Sequence, residues 1–204
     1  MTSHDELPYA TIRATARTEG LVAAVLLLHA GPAAGRVVYG PAGHALVPRE
    51  VASAETTATS LGEVALHGRS LVALREPAMA GTNAAWTLGL TWLRYGLSEG
   101  LLEHCRSYLG GRTSDGSPLL LLQLVKAQLA EAVIEQLEVL TVIEGARPGD
   151  LDHDHLTVLH QRITLADRML LRLLGGSGFR ADGPGQSAHV SELLADAYTG
   201  RAAK

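Results

Sequence analysis

The residue types with the most chemical potential stand together late in the chain, at Asp152, His153, Asp154 and His155, with His160 just beyond. Carboxylates and imidazoles at such spacing are the ligand types of a metal centre. The run also opens an apolar period, where aspartate is a preferred helix cap, and no second ligand cluster joins it. The reading is therefore a helix start and no metal site. Cys105 is the sole cysteine, so no internal disulfide forms and a reducing cytoplasm is the expected compartment. It falls on an apolar stripe, which makes it a core residue rather than a nucleophile. Trp86, which opens the same stripe, and Trp92 read as packing residues, or, for Trp86, as the wall of a ligand cavity.

The elements that must position these groups divide the chain near residue 80. Before it, residues 11–17, 21–30, 36–39, 44–47 and 61–74 are separated by GPAAG, GPAG and a Ser/Thr-rich stretch, the texture of a small sheet. The continuously apolar run at 21–28 predicts a strand covered on both faces, with a short buried helix as the alternative. From about Thr82 the period becomes helical. Trp86, Leu90, Leu93, Leu97, Leu101, Cys105 and Tyr108 share one helix face, ended by Gly110 and Gly111. Ser117 and Pro118 read as N-cap and first residue of a second helix with the stripe Leu122, Val125, Leu129, Val133, Leu137 and Leu140. A third helix starts at 150–154 and carries Leu156, Leu159, Ile163, Ala166, Leu170 and Leu173. The GGSGFRADGPG loop, a helix C-cap and turn in the plainest reading, leads to a shorter fourth helix with Val190, Leu193 and Ala197.

Such stripes are buried most economically in an antiparallel bundle. Tyr95, Leu102, Leu109, Leu120, Leu121, Ile134 and Val142 exceed the needs of one interior, which predicts a second helical surface covered by another subunit. With 21 acidic against 17 basic residues and a net charge of -4, nothing marks a nucleic-acid binder. The longest apolar run is far short of the ~20 residues of a membrane span, and MTSHDELPY has no basic n-region of a secretory signal. Only Lys126 and Lys204 are lysines; the arginine, alanine and glycine usage reads as that of a GC-rich bacterial genome.

Two stretches resemble the acyl-CoA dehydrogenase family. In GLSEGLLEHCRSYLGGRTSDGSPLLLLQLVKAQLAE the matching positions are Gly96, Tyr108, Arg112, Gly116, Gln123, Leu129 and Ala130, without gaps. In LLGGSGFRADGPGQSAHVSELLADAYTGR they are Gly175, Gly176, Gly178, Phe179, Asp182, Pro184, Tyr198 and Gly200. The resemblance covers the back half of that family. It implies a mainly α chain with a small β part: residues 1–80 as a truncated form of the family's middle β-domain, and 81–204 as its C-terminal antiparallel four-helix bundle. The family's N-terminal helical domain and its flavin-facing T-E-P-x-x-G-S-D run have no counterpart here.

In the family a carboxylate removes the acyl α-proton while flavin takes the β-hydride. The position of that Glu is Thr199 here, and the alternative position on the first bundle helix is Trp86; neither is a base at neutral pH. The preceding R-D pair is Val190 and Ser191, and the residue after Gly200 is Arg201. On the flavin side Arg112, Ser114 and Gln123 match, and Gly175 and Gly176 would permit close backbone approach to a dinucleotide. Asp115 replaces the aromatic of R-x-x-F-G and opposes FAD, while Arg112 and Arg172 favour some anion; Arg112 paired with Asp115 at the helix end is the alternative. Three expectations follow from the resemblance. One is a non-redox tailoring enzyme, cyclase- or isomerase-like, acting on a hydrophobic acyl or polyketide-type substrate of bacterial secondary metabolism. Its polar groups would be Thr199, Tyr198, Arg201 and Ser114, with Trp86 and Arg201 in the cavity and no cofactor needed. The second is a non-catalytic partner subunit of a heteromeric FAD-dependent acyl-CoA dehydrogenase, lending Arg112 and the double glycine to a full-length chain. The third is a small-molecule binding protein without turnover. In each case a homo-oligomer or a hetero-oligomer with a related chain is expected, with no nucleic acid and no membrane as partner.

Overall fold

A computed structural model describes residues 9–31, 36–53, 57–81, 83–181 and 183–200. Two helices come first, α1 (Tyr9–Glu19) and α2 (Leu21–Ala30), where strands were expected at 11–17 and 21–30. The spacing of breaks suggested a strand, but Ile12 and Ala16, one helical turn apart, are the buried residues of α1. In α2 the apolar run read as a doubly covered strand, with a short buried helix as the alternative, is the helix: Leu21, Val22, Ala24, Val25, Leu28 and His29 are buried and Leu27 is exposed. Gly20, at φ 89°, makes the break between the helices.

The sheet is small. Strand β1 (His44–Pro48) continues into α3 (Arg49–Ala52), a single turn, and is followed by β2 (Thr59–Leu66) and β3 (Arg69–Arg75) in the antiparallel order β1-β3-β2. The stretch read as one segment, 61–74, is a hairpin turned at His67 and Gly68, both left-handed at φ 49° and 77°. No strand forms at 36–39.

Helix α4 (Ala84–Gly110) is the spine, capped by the Asn83 side chain, which accepts from the Trp86 amide at 2.9 Å. After it, Thr113–Ser114 (β4) and Ser117–Pro118 (β5) form a two-residue ladder turned by Asp115 and Gly116, φ 50° and 77°. Ser117 and Pro118 therefore do not start a helix; Asp-Gly is a hairpin-turn pair, and α5 (Gln123–Ile143) begins later, after Leu122. Its buried stripe is Leu129, Ala132, Gln136, Val139 and Ile143, rotated from the expected one, so Leu122 and Leu137 face outward. Helix α6 (His153–Leu174) is capped by Asp152, whose carboxylate accepts from the His155 amide and pairs with His155 Nδ1 at 2.7 Å. Helix α7 (Pro184–Thr199) closes the bundle, with Leu193 exposed and Leu194 buried in its place. Cys105 is core, its Sγ against the Leu170 carbonyl, with burial pushing the thiol up to about 11.

One continuous core joins α1, α2, the sheet, the start of α4 and α7 through Val25, Leu28, Val47, Leu71, Trp86 and Leu194. Glycines on α4 let α1 lie directly on it: a methyl at Gly96 would strike the Arg13 carbonyl and one at Gly100 the Arg17 carbonyl. Arg13 and Arg17 then grip Glu99 and Glu103, the first pair as a bidentate fork at 2.7 Å. Arg13 also covers Tyr95, 4.9 Å above its ring, so Tyr95 and Leu109, counted as surplus apolar surface, are buried by the chain itself. Leu121, Ile134 and Val142 are exposed as expected, and Leu124 is the most exposed of that side at 71%.

Tyr198 ties α7 to the sheet. Its hydroxyl accepts from the Leu46 amide at 3.3 Å, and burial holds its ionisation far above the usual range. Tyr198→Phe is expected to cost about 1 kcal/mol, the worth of one such bond, as a lower urea midpoint at unchanged slope.

Candidate functional site

The bundle interior is not wholly apolar. Thr87, Thr91, Arg94 and Ser98 recur at helical spacing on α4, opposite His160, Thr164 and Asp167 on α6, Ser191 on α7 and Gln136 on α5. Arg94 lies at the centre with none of its surface exposed. Its Nε donates to Ser191 Oγ at 2.9 Å, Nη2 to Thr164 Oγ1 at 2.9 Å, and Nη1 to His160 Nδ1 at 3.0 Å and the His160 carbonyl at 3.3 Å. All four acceptors are neutral, and among the described residues no carboxylate is within ion-pair distance of it. Burial lowers the guanidinium to about 10, which leaves it charged at neutral pH.

Since arginine can only donate, His160 Nδ1 is an acceptor and the proton sits on Nε2, which faces Thr91 Oγ1 at 3.5 Å. Burial first, then the charge of Arg94, keep His160 neutral, its pKa well below the usual value. Gln136 Nε2 donates to the Ser98 carbonyl at 2.9 Å and to Ser98 Oγ at 2.8 Å. Asp167 ends the network. Burial pushes its carboxyl up to about 7 against the pull of Ser98 and Arg94, and its Oδ1 has no hydrogen-bond partner.

Two cavities reach this network. The larger, about 640 Å³, lies between the first half of α6 and the second half of α7. Arg94, His160 and Ala195 form its floor, Thr157, Thr164 and Thr199 its walls, and its mouth is edged by exposed Asp154, Arg168 and Asp196. The smaller, about 260 Å³, is lined by Asp167, His104, Arg17, Leu97 and Ser187 where α1, α4, α6 and α7 meet.

The positions singled out in the sequence fall in three places. Thr199, the last residue of α7, lines the larger cavity and donates to the Ala195 carbonyl at 2.8 Å. Tyr198, beside it in sequence, points instead into the core, its ring 5.2 Å from that of Trp86. Trp86 is 1% exposed, packed between Tyr198 and the edge of His29 at 4.5 Å, so the place of the alternative base is filled rather than open. Arg112, Ser114 and Gln123 are exposed at the turn from α4 to α5, at the same end of the bundle as Gly175 and Gly176, joined by the core of Leu109, Leu129 and Leu174. Arg112 lies over the Tyr108 ring at 4.3 Å and makes no ion pair with Asp115 among the described residues. Gly175 is left-handed at φ 55°, and a methyl on it or on Gly176 would meet nothing within 4 Å. These groups form an open face with side-chain donors, not an enclosed cradle, and so suit a dinucleotide only if other residues complete the site. Arg201 and Asp182 lie outside the described residues. Among those described, no three ligand-type side chains are grouped to hold a metal ion, and no helix is long and apolar enough to cross a membrane.

Periodicity alone would have found the polar network: Thr87, Thr91, Arg94 and Ser98 are spaced 4, 3, 4, matched by Thr157, His160, Thr164 and Asp167 at 3, 4, 3.

The chain has the fold of the back part of acyl-CoA dehydrogenases, a helical bundle with a small sheet packed against it. Solved structures similar to it include a glutaryl-CoA dehydrogenase from Mycobacterium smegmatis in complex with FADH2, at 21% identity and TM-score 0.51, covering 71% of this chain and 45% of that one. The Tcur3481-Tcur3483 steroid ACAD, in variant form, is 19% identical at TM-score 0.50 and covers 78% and 52%. The ChsE4-ChsE5 complex from Mycobacterium tuberculosis is 18% identical at TM-score 0.50 and covers 81% and 55%. This chain thus spans about half the length of the solved chains it matches. No family model and no curated protein matches the sequence.

Proposed function

We propose that this chain is a non-dehydrogenating subunit that assembles with a longer chain of the same fold and lends its α4–α5 turn and double glycine to a flavin held there. The observation that carries the reading is the filled site: where the resemblance puts an α-proton base there are Thr199 and a Trp86 sealed by His29 and Tyr198. At Trp86 the chain leaves no room for an acyl thioester, and Thr199, which lines the α6–α7 cavity, offers no base there. The exposed positions of Arg112, Ser114 and Gln123, and the open space at Gly175 and Gly176, support a role completed by another chain. So does the apolar side of α5, where Leu124, Ile134 and Leu137 are 71%, 53% and 52% exposed. ChsE4-ChsE5, a complex of two chains, supplies a precedent of the same fold. In this reading residues 1–80 stand for the truncated middle β-domain and 81–204 for the bundle.

The test is co-expression with the full-length acyl-CoA dehydrogenase-like chain encoded nearest to it. The expected result is a yellow heteromer that is lost when Leu124 and Leu137 are both replaced by glutamate, while the free double variant keeps its helical circular dichroism. Stoichiometric flavin and acyl-CoA oxidation by this chain alone would overturn it.

A second reading, non-redox tailoring of a hydrophobic acyl or polyketide-type substrate, is favoured by one observation: Thr199 lines a cavity of about 640 Å³ above neutral His160. Its mark would be turnover by the colourless chain alone, lost in Thr199→Val.

A further inference from the structure

Helix α5 shows the solvent a second seam. Ala127, Ala130, Ile134, Leu137 and Thr141 are spaced 3, 4, 3, 4 and are all exposed, the spacing that presents one narrow face to a neighbouring helix. On nearly the opposite side the buried stripe Leu129, Ala132, Gln136, Val139 and Ile143 has the same spacing, so one helix carries an inner and an outer seam. The outer seam covers about 20 Å of helix. At Thr141 it opens into a groove of about 560 Å³ between α5 and α6, walled by Val142 and Val158 and floored by buried Leu159.

The charges beside the seam are mostly of one sign. Glu135 and Glu138 both reach Arg162 of α6, the first at 2.8 Å, and so mark the flank of α5 that faces α6. Glu131 stands on the same flank one turn earlier, and Asp154 edges the groove; both are exposed and make no ion pair among the described residues. Arg162 thus stands alone beside these carboxylates. Lys126, near the start of α5, is that helix's one cation.

These charges choose the occupant. A second copy placed here by a two-fold axis would bring the same face against itself, acids towards acids. A helix with an apolar seam and lysine or arginine beside it would bury the outer seam, seat a bulky side chain in the groove and set its cations on Glu131, Glu138 and Asp154. We propose that the outer seam of α5 and the α5–α6 groove take a basic amphipathic helix of another chain, and not a copy of this one. The proposal rests on the subunit reading for the identity of that chain and adds what its contact helix must carry.

Fluorescence anisotropy of the full chain with labelled, Ala-rich helical peptides of about 20 residues tests it. The peptides share one leucine seam and differ in its flanks, lysine in one and glutamate in the other. The lysine form is expected to bind about tenfold tighter or more in low salt, with the advantage shrinking in roughly 0.5 M salt as the charges are screened. Glu131→Lys with Glu138→Lys should reverse the preference. Glu19→Lys with Glu50→Lys, the same change of net charge placed on α1 and α3, should keep it. Leu137→Gln should weaken both peptides while the helical circular dichroism is unchanged; the peptide pair on the unaltered chain decides the matter if a variant does not fold. Equal binding of the two peptides, no binding of the lysine form, a preference lost equally in the Glu19 and Glu50 variant, or a dimer of the chain alone that Leu137→Gln dissociates overturns the proposal. A yellow heteromer without any peptide preference sinks this inference and leaves the subunit reading standing. A peptide preference without a heteromer does the reverse.

Discussion

Replacing Trp86 by alanine is expected to remove about 3–5 kcal/mol of stability, the range for deleting a large aromatic from a packed core. Trp86 is the largest of the fully buried side chains. It touches three layers at once: His29 of α2 at 4.5 Å, Tyr198 of α7 at 5.2 Å, and, through the shared cluster, the sheet residues Val47 and Leu71. None of these walls can collapse independently, because α2 is held by α4 and the sheet, and Tyr198 is tied to the Leu46 backbone. The cavity therefore stays open, and the cost sits at the high end of the range. Urea unfolding followed by circular dichroism would show a midpoint lowered by more than 1 M, given a slope of roughly 2–3 kcal/mol/M for a chain of this size. A loss below 1 kcal/mol would mean that Trp86 is not enclosed as described. In that event the claim that the base position is filled would fall with it.

Asp167→Asn is expected to stabilise the protein at pH 8 and to matter little at pH 4. Burial raises the native carboxyl from an ordinary 3.8 to about 7. Below 3.8 both native and unfolded chains hold the proton, and nothing is lost. Between 3.8 and 7 the unfolded chain releases a proton that the native state keeps, so stability falls as pH rises through that window. Above it the fold carries a charged carboxylate with an oxygen that finds no donor. Asparagine has the same shape without the charge. A thermal midpoint about 5 °C or more above the native protein's at pH 8, converging on it towards pH 4, is the expected pattern. His29 complicates the native curve in the opposite direction. Burial depresses its pKa from 6.5 to about 4, so its contribution is lost as pH falls from 6.5 towards 4. The opposing slopes partly cancel, and the variant separates them by removing that of Asp167 and leaving those of His29 and His160, which share one sign. A variant less stable than the native protein at pH 8 would show that the Asp167 charge is compensated within the network, with Arg94 as the counter-ion.

These two residues also mark how far the sequence could be read. The face of α4 from Trp86 to Tyr108 was legible because one apolar period runs through it, although Leu88, Trp92 and Tyr95 form a second buried face beside it. The stripe of α5 was not, since Leu122, Leu124, Ile134 and Leu137 supply apolar residues on several faces, and only packing chooses Leu129, Ala132, Gln136 and Val139. An apolar run as short as α2 satisfies strand and helix alike, and tertiary enclosure decided for helix. Asp115, which looked like a damaged flavin position, has a local purpose as the left-handed residue of the β4–β5 turn. Arg94 and Asp167 were missed because the pattern sought was apolar, and His160 was weighed only as a metal ligand. A polar period inside a buried helix carries equal structural information and more chemical information.

The docking of α2 has a further consequence, in the order in which the chain is made. This helix is apolar on every side, and it leaves the ribosome well ahead of the elements that cover it. Only α1 is already made beside it; β1 starts at His44 and α4 at Ala84, and Tyr198, which closes the far side of Trp86, comes almost last. At ordinary elongation rates that interval is roughly ten to thirty seconds. Throughout it, LVAAVLLLHA must remain apart from other nascent chains, which makes this segment a natural client for a holding chaperone and the point at which crowded expression would drive the protein into aggregates.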